Sequence, residues 1–230
     1  MGTSYCFTHP GHVRNNNEDS YYSSDARGLW IVCDGMGGHQ EGNFASHLVT
    51  DIFERMQMHG GFEQKLEAIT SQLYNIHLIL QKKVQKIGRS AVIGTTVVVL
   101  YVEGSKGVSI HAGDSRCYLL RGERLSMVTV DHAREVETPG GRRKVLTNAL
   151  SAPGELSLEI KKFRVEPGDR FLLCSDGVYD KVNNAVIKRA LKHRSPEEGL
   201  ELLTSSVLAR RADDNLTALI VVTEGRDAGV

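Results

Sequence analysis

The sequence predicts an α+β fold in which two largely antiparallel sheets pack under segregated helices. Apolar, β-branched segments cluster at the start and in the second half of the chain, and two long stretches with helical spacing lie between them. Strands and helices do not alternate as they do in a doubly wound parallel sheet. The 230 residues show no linker, repeat or low-complexity tract, so we expect a single domain spanning 1–230.

The first half of the chain predicts three strands followed by two helices. Short strands are expected around 3–8 and 19–23, and "GLWIVC" at 28–33 forms a third because its apolar run is continuous. Apolar residues then recur at helical spacing over 43–56 and, for longer, over 62–87.

The second half is rich in strands and ends with a capped helix and one more strand. Ser195 is an expected N-cap, with Pro196 at the first helical position and Glu198 in capping-box position, so a helix is predicted over 195–211. The strands are expected at 95–102, at 107–130 with breaks at Gly113-Asp114 and at the turn 121–123, at 155–165, at 169–174 and at 216–222.

Charge and composition exclude several classes of partner. Lys plus Arg and Asp plus Glu are both 28, so no net field favours nucleic acid or an acidic membrane, and the short basic run "GGRRK" (140–144) is typical of a solvated turn. No apolar run approaches the ~20 residues of a membrane helix. The N-terminal residues lack the pattern of a signal peptide, and we expect a cytoplasmic protein.

The cysteines are far apart in sequence and form no CxxC pair. Free buried thiols in a reducing compartment are the preferred interpretation for Cys6, Cys33, Cys117 and Cys174. Cys33 and Cys174 each lie close to a carboxylate discussed below, so redox sensitivity is an alternative for these two.

Acidic residues lie at the ends of predicted strands. Each of the four strand-end aspartates is a turn former when taken alone, but as a set they indicate carboxylates gathered at the rim of a core, which a cation normally holds together. An early acidic pair, Glu18 and Asp19, precedes another strand. The four are Asp34 after "LWIVC", Asp114 after "VSIHAG", Asp176 after "RFLLCS" and Asp214 before "LTALIVV".

Six motifs along the chain together resemble one known family. They are, in order, "RNNNED", "DGMGG", "IGTT", "AGDSR", "CSDGVYD" and "DDNLTALIV", which run from Arg14 to Val222. In this order they resemble the metal-dependent protein phosphatase 2C family in its bacterial form. The resemblance implies a four-layer α-β-β-α sandwich, hydrolysis of phosphoserine and phosphothreonine, and Mn²⁺ or Mg²⁺ as cofactor.

The resemblance also implies roles for the acidic residues. Asp34 would bridge two tightly bound ions, the carbonyl of Gly35 would bind one of them, and Asp176 and Asp214 the other. Asp114 would hold a third, weaker ion together with Asp176. An all-oxygen set suits Mg²⁺ or Mn²⁺, whereas zinc prefers His and Cys.

Two further roles follow from the "RNNNED" motif. Glu18 and Asp19 would accept hydrogen bonds from metal-bound waters, and Arg14 would grip the phosphate with its guanidinium fork. We thus expect Arg14, Asp34 and Asp114 to carry catalysis. Simpler alternatives are that Arg14 is a surface arginine and that Asp114 is a turn residue whose carboxylate accepts from the amides of Ser115 or Arg116.

The sequence departs from the family pattern in two places. Met36 stands where some members have a histidine that acts as general acid, and it cannot donate a proton. His39 is a candidate replacement, against the simpler interpretation of a solvated loop histidine. The flap region has only the residues 133–141 between "DH" and "RRK", so substrate contacts made by a longer flap cannot be transferred.

The leading hypothesis is a monomeric bacterial Ser/Thr phosphatase that acts on phosphoproteins and opposes a Hanks-type kinase. A compact domain would suit a regulator of a kinase-controlled secretion or cell-envelope system. No histidine is placed by motif beside Ser115 or Ser175, so we expect no covalent nucleophile. The alternatives are a phosphoprotein-binding module without turnover, which the full aspartate set disfavours, and a hydrolase of small phosphate esters.

Overall fold

The structure, a computed structural model, describes residues 2–37, 41–88, 92–138 and 141–223. Its strands within these ranges are β1 (Gly2–His9), β2 (Asp19–Ser24), β3 (Leu29–Met36), β4 (Gly94–Thr95), β5 (Val97–Glu103), β6 (Lys106–Ala112), β7 (Arg116–Arg121), β8 (Arg124–Met127), β9 (Ala133–Thr138), β10 (Gly141–Leu146), β11 (Glu159–Arg164), β12 (Arg170–Cys174) and β13 (Leu216–Thr223). Its helices are α1 (Glu41–Arg55), α2 (Phe62–Ile87), α3 (Asp176–Tyr179), α4 (Asn184–Leu191) and α5 (Pro196–Leu208).

Two antiparallel sheets form the centre of the fold. One has the strand order β1-β13-β12-β7-β8, and the other has the order β11-β6-β5-β3-β2, with the short β4 paired to β3. The predicted α+β class is confirmed. The pairing also explains why the apolar runs are continuous, since β3 and β5 each lie between two other strands and are buried on both faces.

Three apolar layers separate four layers of secondary structure. The sheets pack against each other through side chains such as Trp30, Val98, Phe171 and Leu219. The outer face of the β3–β5–β6 sheet is covered by the apolar stripes of α1 and α2, and the outer face of the other sheet by α4 and α5. This is the predicted α-β-β-α sandwich.

Most predicted element boundaries agree with the structure within a few residues. The predicted helix 62–87 is α2, and the side chain of Ser195 accepts a hydrogen bond from the Glu198 amide at 3.2 Å, as an N-cap does. The carboxylate of Glu198 lies 3.3 Å from His193, so the expected capping box is only half formed.

The sequence analysis did not predict the hairpin β9–β10 or the helices α3 and α4. The hairpin is a separate two-stranded sheet with mostly exposed side chains, so neither strand shows an apolar alternation. Helix α3 spans one turn, which is too short for a periodic pattern. The sequence did contain a signal for helix α4, an asparagine at the N-cap position. The side chain of Asn183 accepts hydrogen bonds from the amides of Ala185 and Val186, both at 3.1 Å.

The described helices include none that is both long enough and apolar enough to cross a membrane.

The layer between the sheets predicts where a large-to-small substitution is most costly. Phe171→Ala removes a fully buried ring that packs on Phe163 with a centroid distance of 5.7 Å, and should lower the free energy of unfolding by about 3–5 kcal/mol. Ile160→Ala, on the partly exposed strand β11, is the matched control and should cost far less. Urea denaturation of both variants checks this, and similar losses would contradict the layer assignment.

Candidate metal centre

The strand-end carboxylates meet at one end of the sandwich. Asp19 lies opposite Asp34 in the β2–β3 register. Asp176 follows β12 and Asp214 precedes β13, and these two strands are antiparallel neighbours, so both residues lie at the same edge. Asp114 lies where the chain crosses from β6 in one sheet to β7 in the other. The structure therefore brings together aspartates up to 195 positions apart.

The backbone of Asp34 is held on both sides by a threonine pair. Its amide donates to the hydroxyl of Thr96 at 3.0 Å, while its carbonyl accepts from the Thr96 amide at 2.9 Å and from the Thr95 hydroxyl at 2.9 Å. These residues belong to the "IGTT" motif. A backbone fixed in this way limits the rearrangement needed when the Asp34 side chain meets a ligand.

Two glycines allow close approach around Glu18. The Gly35 amide donates to the Glu18 carbonyl at 3.1 Å, and a Cβ on Gly35 would lie 2.3 Å from the Gly42 carbonyl oxygen. A Cβ on Gly42, in the first turn of α1, would lie 2.1 Å from a carboxylate oxygen of Glu18. Both glycines thus allow the Asp34 strand, Glu18 and the start of α1 to touch.

Asp19 links the two sheets at the site. One of its oxygens accepts from the Ser175 hydroxyl at 2.7 Å, and that hydroxyl accepts from the Thr217 amide at 3.0 Å. The other oxygen of this buried carboxylate has no hydrogen-bond partner among the described residues. A buried carboxylate oxygen left unpaired is costly, which indicates a site built for a cation or its water.

Arg14 lies at the mouth of the site. Its Nη2 contacts a carboxylate oxygen of Asp214 at 3.0 Å, and both side chains are about half exposed. The loop that carries Arg14 is fixed by Asn215, whose side chain accepts from the Glu18 amide at 2.8 Å and donates to the carbonyls of Pro10 and Asn16. The sequence analysis missed this role of Asn215, although it lies inside the quoted "DDNLTALIV".

Burial and neighbouring negative charge raise the pKa values of Asp19, Asp34 and Asp176. Burial, with the nearby charges of Asp19, Asp176, Asp114 and Asp214, raises the pKa of Asp34 well above its usual value. Burial raises the pKa of Asp19 to about 7 against the opposing Ser175 hydrogen bond, and burial with the charge of Asp114 raises that of Asp176 to about 7. Divalent cations would relieve both the repulsion and the lost hydration, so the residues present fit a Mn²⁺ or Mg²⁺ centre.

Asp114 contacts a basic residue that sequence reasoning misinterpreted. Its buried carboxylate lies 2.6 Å from Nζ of Lys144 on β10, in the run "GGRRK". Burial alone would lower the pKa of Lys144, but the contacts with Asp114 and Asp131 outweigh it, and the pKa is raised. The prediction of a turn is wrong, because residues 141–144 lie on strand β10, although their side chains are exposed as expected. Strand pairing in β9–β10 carries Lys144 to a residue 30 positions away.

His111, His132 and Glu159 form a second group whose ligand atoms lie within 4.8 Å of one another. The two imidazole rings are stacked, with centroids 4.5 Å apart and planes inclined by 18°. Ring-nitrogen lone pairs lie in these nearly parallel planes, so they do not converge on one ion. His111 Nε2 is 2.7 Å from the Val130 carbonyl and must donate to it. This group holds the base of the β9–β10 hairpin.

Comparison with known proteins agrees with the site. A sequence model of the family described as protein phosphatase 2C matches residues 10–219. The chain belongs to this family. It is a metal-dependent serine/threonine protein phosphatase, a hydrolase whose family uses Mn²⁺ or Mg²⁺, which confirms the enzyme class that the motifs predict.

Several bacterial phosphatases are similar to the chain. The serine/threonine phosphatase stp of Listeria innocua is 27% identical, covering 96% of this chain and 97% of stp. PstP of Mycobacterium tuberculosis is 32% identical over 95% of this chain and 44% of its own length. The structure of PppA, a key regulatory component of T6SS in Pseudomonas aeruginosa, is 33% identical with a TM-score of 0.89, covering 96% and 97% of the two chains.

A fourth comparison concerns the cofactor. The PstP catalytic domain in complex with two manganese ions is 29% identical, has a TM-score of 0.79, and covers 97% of this chain and 99% of its own. Family members thus have the cofactor that the oxygen-rich site of this chain fits.

The remaining predicted candidates have simple environments. Met36 packs near Gly94, and His39 lies outside the described residues. Cys33 and Cys174 are fully buried, and burial raises the pKa of both thiols, which favours packing over redox sensitivity. The buried Ser115 hydroxyl is bonded to the Thr96 hydroxyl at 2.7 Å.

The raised pKa values predict that metal binding releases protons. At pH 6 Asp19 and Asp176, with pKa values of about 7, are largely protonated in the metal-free protein and must ionise to meet a cation. Titration calorimetry with Mn²⁺ in buffers of different ionisation enthalpy should show net proton release at pH 6 and less at pH 8. No buffer dependence at pH 6 would contradict the raised values.

The same raised pKa values determine how the stability of the metal-free protein changes with pH. Unfolded aspartates titrate at about 4, so the folded metal-free protein binds more protons than the unfolded chain between about pH 4 and 7. The contribution of these carboxylates to stability therefore falls as pH rises through that window, and saturating Mn²⁺ should remove this fall in a series of thermal melts.

Proposed function

We propose that this phosphatase hydrolyses phosphoserine and phosphothreonine in proteins at a binuclear Mn²⁺ or Mg²⁺ centre. The observation that carries the proposal is the placement of five aspartates at one rim of the sandwich, where burial and neighbouring charge raise the pKa values of Asp34 and Asp176. Asp34 would bridge the ions, the Gly35 carbonyl would hold one, and Asp176 and Asp214 the other. When bound, two such ions activate a water and neutralise phosphoryl charge.

The chain's own residues would orient the substrate around that centre. Arg14 uses one of its five N–H donors on Asp214, which leaves the rest of the fork for phosphoryl oxygens at the open mouth of the site. Glu18 and Asp19 would accept hydrogen bonds from water, and the unpaired oxygen of Asp19 supports this role.

The environments of the hydroxyls and thiols support direct attack by water. Ser175 and Ser115 are buried and hydrogen bonded to Asp19 and Thr96, and a histidine base contacts neither hydroxyl within the described chain. The buried thiols of Cys33 and Cys174 have raised pKa values, so the reactive thiolate is disfavoured. A covalent phosphoenzyme is therefore not part of the proposal.

The cellular setting is also a proposal. A monomeric cytoplasmic enzyme that opposes a Hanks-type kinase fits the balanced charge of the chain. The similarity to PppA, described as a regulatory component of T6SS, favours a kinase-controlled secretion system over other settings. A pull-down with phosphorylated kinase substrates, together with sedimentation of the purified chain, tests the partner and the monomer.

Asp34→Asn should abolish both metal binding and turnover. Because altering a residue that only supports a ligand already costs 10–100-fold, loss of the bridging carboxylate should lower kcat on a phosphothreonine peptide by ~100-fold or more. Calorimetry with Mn²⁺ should show the tight sites lost. Asp51→Asn, an exposed change on α1, is the control.

Two results would contradict the proposal. One is near-normal turnover in Asp34→Asn with metal bound, and the other is a trapped phosphoenzyme. A panel of small phosphate esters assayed beside the peptide, with and without Mn²⁺, separates the protein phosphatase from a small-ester hydrolase.

Arg14→Ala should raise KM for the phosphopeptide and lower kcat/KM about tenfold or more, since a charge-assisted hydrogen bond is worth ~1.5–3 kcal/mol. The affinity for Mn²⁺ should barely change, because Arg cannot be a ligand and its half-exposed pair with Asp214 is weak. Arg14→Lys keeps the positive charge but lacks the guanidinium fork, so its kcat/KM should lie between those of the native protein and Arg14→Ala. An equal loss of metal affinity would show that Arg14 supports the site structurally.

A further inference from the structure

The ammonium of Lys144 lies near three oxygen atoms at the edge of the aspartate cluster, although its side chain is 36% exposed. Its Nζ lies 2.6 Å from Oδ2 of Asp114, 2.8 Å from the hydroxyl of Tyr179 and 3.6 Å from Oδ2 of Asp131. The Tyr179 hydroxyl is at hydrogen-bond distance, Asp114 is in close ionic contact, and Asp131 lies beyond hydrogen-bond distance and adds only electrostatic attraction. The Asp114 side chain is only 7% exposed, which distinguishes the contact from an ordinary surface ion pair.

The partners of Lys144 are themselves fixed. The Tyr179 hydroxyl donates to the Asp114 carbonyl at 2.9 Å. The guanidinium of Arg116 lies 3.6 Å from the centre of the Tyr179 ring and makes a two-point contact with Asp131 at 2.9 and 2.8 Å. The position of the ammonium is therefore set by a network in which each partner has a second contact.

A cation bound to Oδ2 of Asp114 would compete with this ammonium. A divalent ion needs the carboxylate oxygens of Asp114 at about 2.0–2.6 Å. The Lys144 ammonium already contacts one of them, and its charge would repel an ion held on the same carboxylate. Lysine and a third ion are thus alternative occupants of one site.

We propose that Lys144, carried by the β9–β10 hairpin, serves as a tethered cation at Asp114 and excludes a third divalent ion unless the hairpin withdraws. The proposal rests on the binuclear function above. Coupling of this kind is reciprocal, so an ion that reaches Asp114 at high concentration must release Lys144 and loosen the hairpin. Binding of the third ion and loosening of the hairpin are then two sides of the same equilibrium.

The test is the stoichiometry of metal binding in the full chain, measured by calorimetric titration with Mn²⁺. The native protein should bind two ions tightly and a third weakly or not at all, whereas Lys144→Met should bind the third at least ~10-fold more tightly. Lys144→Arg, which keeps the charge, should behave like the native protein.

Arg143→Met is the matched control. It removes a positive charge from the same strand, but neighbouring residues of a strand point to opposite faces, so Arg143 faces away from Asp114. Its third-ion affinity should equal that of the native protein. Adding Asp114→Asn to Lys144→Met should remove the gained ion, which shows that the ion lies at Asp114.

Hydrogen exchange gives a second measurement that does not depend on turnover. In the native protein, exchange of the β9–β10 amides should stay constant while two ions bind and rise only at Mn²⁺ concentrations that fill the third site. In Lys144→Met it should be fast throughout.

The outcomes separate this proposal from the binuclear one. If both proteins bind two ions and hydrolyse the phosphopeptide, but Lys144→Met shows an unchanged third-ion affinity, the tethered-cation proposal is wrong and the binuclear function stands. If neither protein binds two ions, both proposals fail. If Arg143→Met gains the third ion as Lys144→Met does, the effect is one of general charge, and the specific contact is excluded.

Discussion

Repulsion among buried carboxylates is the constraint on which the rest of the structure depends. Asp34 lies among four other aspartates, and burial with their charge raises its pKa well above the usual value. Such a cluster opposes folding unless cations or protons neutralise it. The rigid parts of the fold hold it together: the β2–β3 register sets Asp19 opposite Asp34, and the threonine pair Thr95–Thr96 fixes the Asp34 backbone.

The chain supplies its own positive charge at both edges of this cluster. In the described ranges, the basic side chains that make ion pairs with the clustered aspartates are Arg14, at Asp214, and Lys144, at Asp114. The two differ in kind. Arg14 is half exposed and within those ranges pairs with Asp214 alone, whereas Lys144 is held by a network that includes Tyr179 and Asp131. The centre of the cluster, at Asp34 and Asp19, has no such partner in the described chain and is left for metal ions.

The sequence predicted the parts of the site that short stretches encode. A continuous apolar run that ends in Asp34-Gly35 already indicates a buried strand with a carboxylate at its rim, and the order of six motifs indicated the family. Contacts between distant residues were not predictable in this way. Lys144 lies in a basic run of a kind that is usually solvated, and only the pairing of two mostly exposed strands carries it to Asp114. The hydrogen bonds of Asn215 to Glu18, Pro10 and Asn16 likewise span about 200 positions.

The short flap contacts the aspartate cluster through its second strand. A two-stranded hairpin is marginal by itself in water, and β9–β10 pairs with neither large sheet. Its base is held by hydrogen bonds of His132 to Gly113 and Thr147, and its second strand is held by the contact of Lys144 with Asp114. Because the second contact depends on the charge of Asp114, whatever neutralises that carboxylate also decides how firmly the hairpin is held. In the tethered-cation proposal, the occupant of Asp114 would therefore also set the order of the hairpin.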